Sequence, residues 1–140
     1  MRTQLLKATL LLLVGFGMSA RGQQCLEYGP TVSLTGTLRS KVFPGPPNYE
    51  SIEGGDRKEV AIILKLAART CTTGHDPQGI DVPETGLRDM QLVVTKGSHW
   101  KTVRRLMAKR AIVTGTLFHA HTGHHRTKVL VDVTNIRAAA

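Results

Sequence analysis

Four of the six histidines stand within seven residues, in the stretch Phe118-His119-Ala120-His121-Thr122-Gly123-His124-His125-Arg126-Thr127. Imidazole nitrogen is a good ligand for zinc, copper and nickel. In an extended segment His119 and His121 project to one face about 7 Å apart, close enough to converge on one ion. After a reversal at Thr122-Gly123, His124 or His125 can add a third nitrogen and leave an open position for water. His119, His121, His124 and His125 are therefore candidate metal ligands, with zinc or copper as the ion. No cysteine or carboxylate lies inside the motif, and Asp132 is the nearest acid. The general base of a metal hydrolase is thus missing locally. The same four rings can instead form a hydrogen-bonded polar tip, each donating to loop carbonyls, or a proton-sensitive cluster that repels itself once charged. His75 and His99 stand alone and read as ordinary polar residues. The sequence carries no G-x-S-x-G, H-E-x-x-H, Walker or Rossmann glycine pattern, so an enzyme is not expected.

Whatever the histidines do, a β-hairpin must hold them. Arg110 to Leu117 and Lys128 to Val133 are β-branched and aliphatic, and Thr122-Gly123 supplies the turn between them. Upstream, Thr31 to Val42 alternates, with Val32, Leu34 and Leu38 on one side and Gly36 where another inward side chain would fall. A glycine there marks a bend or bulge of the kind found at barrel corners. Val32-Ser-Leu34-Thr-Gly36-Thr-Leu38 and Ile112-Val113-Thr-Gly115-Thr-Leu117 read as one physical demand met twice. Pro44, Pro46 and Pro47 end the first strand, and Asn48 to Arg57 continues as a loop. Its acidic residues Glu50, Glu53 and Asp56 read as solvated. Glu59 to Ala67 and Leu87 to Thr95 form two further strands.

Between the third and fourth strands, Ser98 to Lys109 reads as the one helix. Ser98 is its expected cap, and Trp100, Val103, Leu106 and Met107 recur at helical spacing. Trp100 is expected to plug the barrel. Three strands, a helix and two strands match a small OB-like Greek-key barrel, mostly β with one helix. In that fold the loops after the first and fourth strands flank the binding face. The proline loop and the histidine tip occupy those places. Phe43 and Tyr49 there, with Arg39, Lys41 and Arg126, can form a stacking and charge surface for an anionic polymer or saccharide, or the two rings simply pack the loop.

The chain of 140 residues opens like a secretory signal peptide: Arg2 and Lys7, an apolar run from Ala8 to Met18, then Ser19-Ala20-Arg21-Gly22. That run is too short to span a bilayer. Residues 1–22 are read as leader, with cleavage after Ala20 or Gly22, and 23–140 as a single domain without a membrane span. Loss of Arg2, Lys7 and Arg21 lowers the formal charge from +9 to +6, a scattered excess that favours anionic partners and is equally the ordinary surface of a basic exported protein. An exported protein seldom meets nucleic acid, so the expected partner is a small ligand or metal ion. In an oxidising compartment Cys25 and Cys71 read as one disulfide. Nothing in the sequence fixes the oligomeric state.

Phe118 to Thr127, the preceding Val113-Thr-Gly-Thr-Leu117, and Phe43-Pro-Gly-Pro-Pro-Asn-Tyr-Glu-Ser51 resemble the bacterial family called domain of unknown function 4431. The resemblance runs from about Cys25 to Val133. At Arg126-Thr127-Lys128 similar proteins look more like His-Thr-Pro, so a fifth histidine ligand is missing here. The resemblance implies an exported bacterial protein and brings no activity with it.

Overall fold

The computed structural model describes residues 24–74 and 76–140. Residues 1–22, expected to be a leader, and His75 lie outside the described residues. Seven strands and one helix follow in order: β1 (Leu26–Glu27), β2 (Thr31–Pro44), β3 (Lys58–Thr70), β4 (Thr72–Thr73), β5 (Leu87–Val93), α1 (Gly97–Leu106), β6 (Arg110–His119) and β7 (Val129–Ala138). Five of the strands close a barrel in the order β2-β3-β5-β7-β6, with β6 returning to pair with β2. Only β5 and β7 run parallel within it. The five long strands are those expected from the sequence. The two-residue β1 and β4, which pair in parallel outside the barrel, have too little pattern to be seen there.

Alternation decides which side chains fill the barrel. Leu34 and Leu38 of β2, Leu64 and Leu66 of β3, Met90 and Leu92 of β5, Val113 and Leu117 of β6, and Val131 and Val133 of β7 form its core. Gly36 and Gly115 occupy inward positions, and here the neighbouring backbone comes too close for a side chain. A Cβ on Gly36 would lie 2.5 Å from the Lys65 carbonyl oxygen, and one on Gly115 would collide with that of Asp132. Beside Gly115 the β6–β7 register slips, Thr114 facing Asn135 and Gly115 facing Val133. Thr134 is the extra residue of this bulge, and its hydroxyl donates to the Thr114 carbonyl at 3.1 Å.

The helix differs from expectation at both ends. Lys96, not Ser98, precedes the first turn, and no side chain caps it. The helix stops at Leu106 because the chain turns to hydrogen-bond β2: Ala108 N–H donates to the Leu38 carbonyl, and Leu38 N–H to that of Lys109, both at 3.0 Å. Ala108 takes a positive φ of 63° to do so. Val103 and Leu106 close the barrel, whereas Trp100 is 38% exposed and is not the plug. Trp100 and Leu106 stand about 120° apart round the helix, on either side of Val103, so a face turned to the barrel at Val103 and Leu106 leaves Trp100 at its edge. Among the described residues no helix is long and apolar enough to cross a membrane.

Cys25 and Cys71 form a disulfide that ties the residue before β1 to the end of β3. It fixes β1 against β4, and from there a chain of contacts runs on. The Tyr28 hydroxyl donates to the Val82 carbonyl at 2.9 Å and accepts from Thr72 Oγ1 at 3.1 Å. Thr72 Oγ1 in turn accepts the Glu84 amide at 3.0 Å. The 76–86 loop is thereby held against the barrel rim.

Candidate functional site: the histidine tip and the basic face beside it

Strand β6 ends at His119, so His121 lies in the turn and not on the strand face it was expected to share with His119. The hairpin itself is present: Ala120 N–H donates to the Lys128 carbonyl at 2.8 Å, and the His125 amide to that of Thr122 at 3.1 Å. Its four imidazoles part in three directions.

His119 turns toward the 76–86 loop. Its Nε2 is 3.0 Å from Glu84 Oε1 and its Nδ1 is 3.1 Å from the Ala120 carbonyl, while its backbone amide donates to Asp81 Oδ1 at 2.8 Å. Lys128 reaches the other Glu84 oxygen at 2.9 Å. The His119 and Lys128 hydrogen bonds hold the Glu84 carboxyl below the usual carboxylate range.

His124 turns the other way. Its Nδ1 is 3.0 Å from Glu59, and its Nε2 is 3.1 Å from the Tyr49 hydroxyl. Glu59 also accepts from Arg126 at 2.6 Å. Desolvation raises the Glu59 carboxyl, but the bonds to Arg126 and His124 outweigh it and the net direction is downward. The Arg126 guanidinium, its side chain 8% exposed, lies 5.4 Å from the centroids of both Phe43 and Tyr49. Phe43, Tyr49 and Arg126 are thus brought together, stacked on one another. Gly123 backs onto the Tyr49 ring, where a Cβ would sit 3.2 Å from the nearest ring carbon.

His121 and His125 remain as a pair, ring centroids 4.6 Å apart and nearly perpendicular, packed on Phe118. His121 Nδ1 lies 3.0 Å from the His119 carbonyl, an acceptor only, so that nitrogen carries a proton. His125 Nδ1 accepts the His121 amide at 3.0 Å. Burial, then the neighbouring His121 and His124, pushes the His125 imidazole below its ordinary value. Among the described residues, no three histidine, cysteine or acidic side chains converge as a metal would require.

The carboxylates absent from the motif arrive from elsewhere in the chain. Glu59 and Glu84 stand 65 and 35 residues from the histidines they meet. Asp132, the nearest acid in sequence, makes no ion pair with a histidine among the described residues. No local pattern singles out either glutamate. The acidic loop also departs from expectation. Asp56 is buried, and its carboxylate accepts the amides of Asn48, Glu50 and Ser51 at 2.8, 2.7 and 2.9 Å. Those amides, Asn48 and Ser51 foremost, hold its carboxyl below the usual range. They also fold the loop so that Tyr49, at a positive φ of 61°, meets the tip.

The face leading away from Phe43 carries cations that make no ion pair among the described residues. Arg39, Lys41 and Phe43 share one side of β2, with Lys41 5.7 Å from the Phe43 ring. Arg39 pairs with Ile63 in β3, and Lys65 with Asp89 in β5. Together with Ser40 these residues line a groove of about 300 Å³ with buried Ile63 beneath it. A larger cavity, about 460 Å³, opens near β1 and β4, where Glu27, Asp76 and Asp81 contribute acid. Two of those acids are already engaged: Asp76 accepts the Ile80 and Asp81 amides, and Asp81 that of His119.

Residues 89–137 match the family model described as Domain of unknown function (DUF4431). The match supports the family read from the sequence. It spans most of β5, then α1, β6, the whole tip and nearly all of β7, and it leaves out the 43–51 segment that also carried the resemblance. No curated protein matches the chain.

Proposed function

We propose that this chain is an exported, OB-like binding module that takes an anionic polymer or saccharide along the outer face of β2, β3 and β5. The sequence of five barrel strands, in which the first three are neighbours and the fifth lies between the third and fourth, supports the OB-like reading. So does the helix between the third and fourth barrel strands. The loops that flank the binding face in such barrels correspond to residues 45–57 and the histidine tip.

One observation carries the ligand class. Arg39, Lys41 and Lys65 line a single groove and make no ion pair among the described residues, whereas Arg126 and Lys128 at the tip are paired with glutamates. Unpaired cations on a shared concave surface attract a multivalent anion and release its counterions on binding. The leader-like sequence and the disulfide support export. In this reading the histidine tip shapes the end of the face by docking onto Tyr49 and Glu59. The test is a titration of the protein with an anionic polysaccharide at increasing salt. Affinity is expected to fall steeply with salt, to drop at least tenfold in Arg39→Ala with Lys41→Ala, and to survive His121→Ala. Affinity indifferent to salt and to the double substitution would refute it.

A second reading has one observation in its favour. His121 Nδ1 is anchored on a carbonyl and its Nε2 has no hydrogen-bond partner among the described residues, which is how a metal-bound imidazole is oriented by its surroundings. Zinc or copper would then be held by His121 with His125, after His125 gives up its bond to the His121 amide. Calorimetric titration with either ion checks this: heat that disappears in His121→Ala supports it, and no heat removes it.

A further inference from the structure

Resting on the anionic-ligand reading above, we infer that the ligand of the basic groove is an acidic saccharide, bound by its acid groups and its hydroxyls. The groove offers a partner for each. Arg39 and Lys41, two residues apart on one side of β2, project about 7 Å from each other, and Lys65 lies diagonally across on β3. These are the donors for carboxylate or sulfate groups. Asp89 lines the same groove, and a carboxylate is an acceptor only. For a ligand that is purely anionic, Asp89 is repulsive. For a sugar, it is the acceptor that hydroxyl donors require.

The aromatic rings near the groove disfavour the other common polyanion. Single-stranded nucleic acid binds through bases stacked on open aromatic faces. Phe43 has the Arg126 guanidinium and the Lys41 ammonium over its ring. Tyr49 is covered by Arg126, by the edge of His124 at 5.3 Å between centroids, and by Gly123. Trp100 is exposed but belongs to α1 and does not line the groove. Charge is free on this surface and ring faces are not.

Two measurements test the inference, both on the whole protein with thermal melting as the control for folding. In the first, polygalacturonate and oligo(dT) of matched charge are compared at one ionic strength, with neutral dextran as a blank. Polygalacturonate is expected to bind at least tenfold more tightly than oligo(dT). In the second, Asp89→Ala is expected to weaken polygalacturonate several-fold and to strengthen oligo(dT), because the lost carboxylate is an acceptor for one and a repulsion for the other. Preference for oligo(dT), or tighter polygalacturonate binding in Asp89→Ala, overturns the saccharide while leaving the anionic face standing. Absence of binding to either polyanion overturns both.

Discussion

Gly115 stands where the Asp132 carbonyl oxygen leaves no room for a Cβ, and both partners are backbone that cannot step aside. Gly115→Ala is expected to cost about 3 kcal/mol, the upper part of the range for forcing an atom into a packed site, read from urea unfolding. Gly97, in the first turn of α1, has nothing within 4 Å of its Cβ position. Gly97→Ala is expected to be neutral or to stabilise by up to about 1 kcal/mol. Asp56 acts through charge. Its folded carboxyl lies below its unfolded value of about 3.9, so its contribution is complete above that pH and is lost as pH falls through the folded value. Asp56→Asn should therefore lower the melting temperature at pH 7, and the difference from the unmodified protein should close below about pH 4. His125 has the same sign for a different reason. Its folded value is depressed, so stability tied to its neutral ring is present above about 6.5 and declines as pH falls toward the folded value. Protonation of Nδ1 also removes the acceptor of the His121 amide. The protection of that amide, its exchange rate set against the unstructured rate at the same pH, should fall on acidification through this window, and unchanged protection would place His125 outside the bond.

Elements were legible where one period ran unbroken. The alternation of Thr31 to Val42 and the aliphatic runs around the tip correctly gave long strands and a hairpin, because burial of one face imposes period two on the residues themselves. The ends of elements were not, since distant partners set them. The helix stops early because Leu38 pairs with Ala108 and Lys109. The two-residue β1 and β4 exist because the disulfide and Tyr28 hold them together. The tip was legible as a cluster of histidines but not as a set of separate contacts. Glu59, Glu84 and Tyr49 reach it only through the barrel's closure, and nothing in their neighbourhoods marks them. The disulfide was legible from the count of cysteines, and its weight follows from a sequence separation of 46. Replacing both cysteines by serine is expected to cost about 4 kcal/mol on the loop-entropy model, measured by chemical denaturation under oxidising conditions. Because β1 steadies Tyr28, and Tyr28 the 76–86 loop, the loss should appear first as faster exchange at the His119 amide, which Asp81 accepts.

For the molecule as a whole, closure of five strands removes the open edges that would invite pairing with another chain, and leaves function to the outer faces. Two faces differ in sign. The cavity near β1 and β4 is acidic with much of its acid engaged, and the groove on β2, β3 and β5 is basic with its cations free. The docked proline loop and histidine tip border the second. The most direct measurement of that assignment is a map of backbone and side-chain NMR shifts in the labelled protein on addition of polygalacturonate. The changes should concentrate at Arg39, Ser40, Lys41, Ile63, Lys65 and Asp89, with smaller ones at Phe43 and Arg126 and none at Glu27 or Asp76. Changes confined to His121 and His125, or to the acidic cavity, would contradict it.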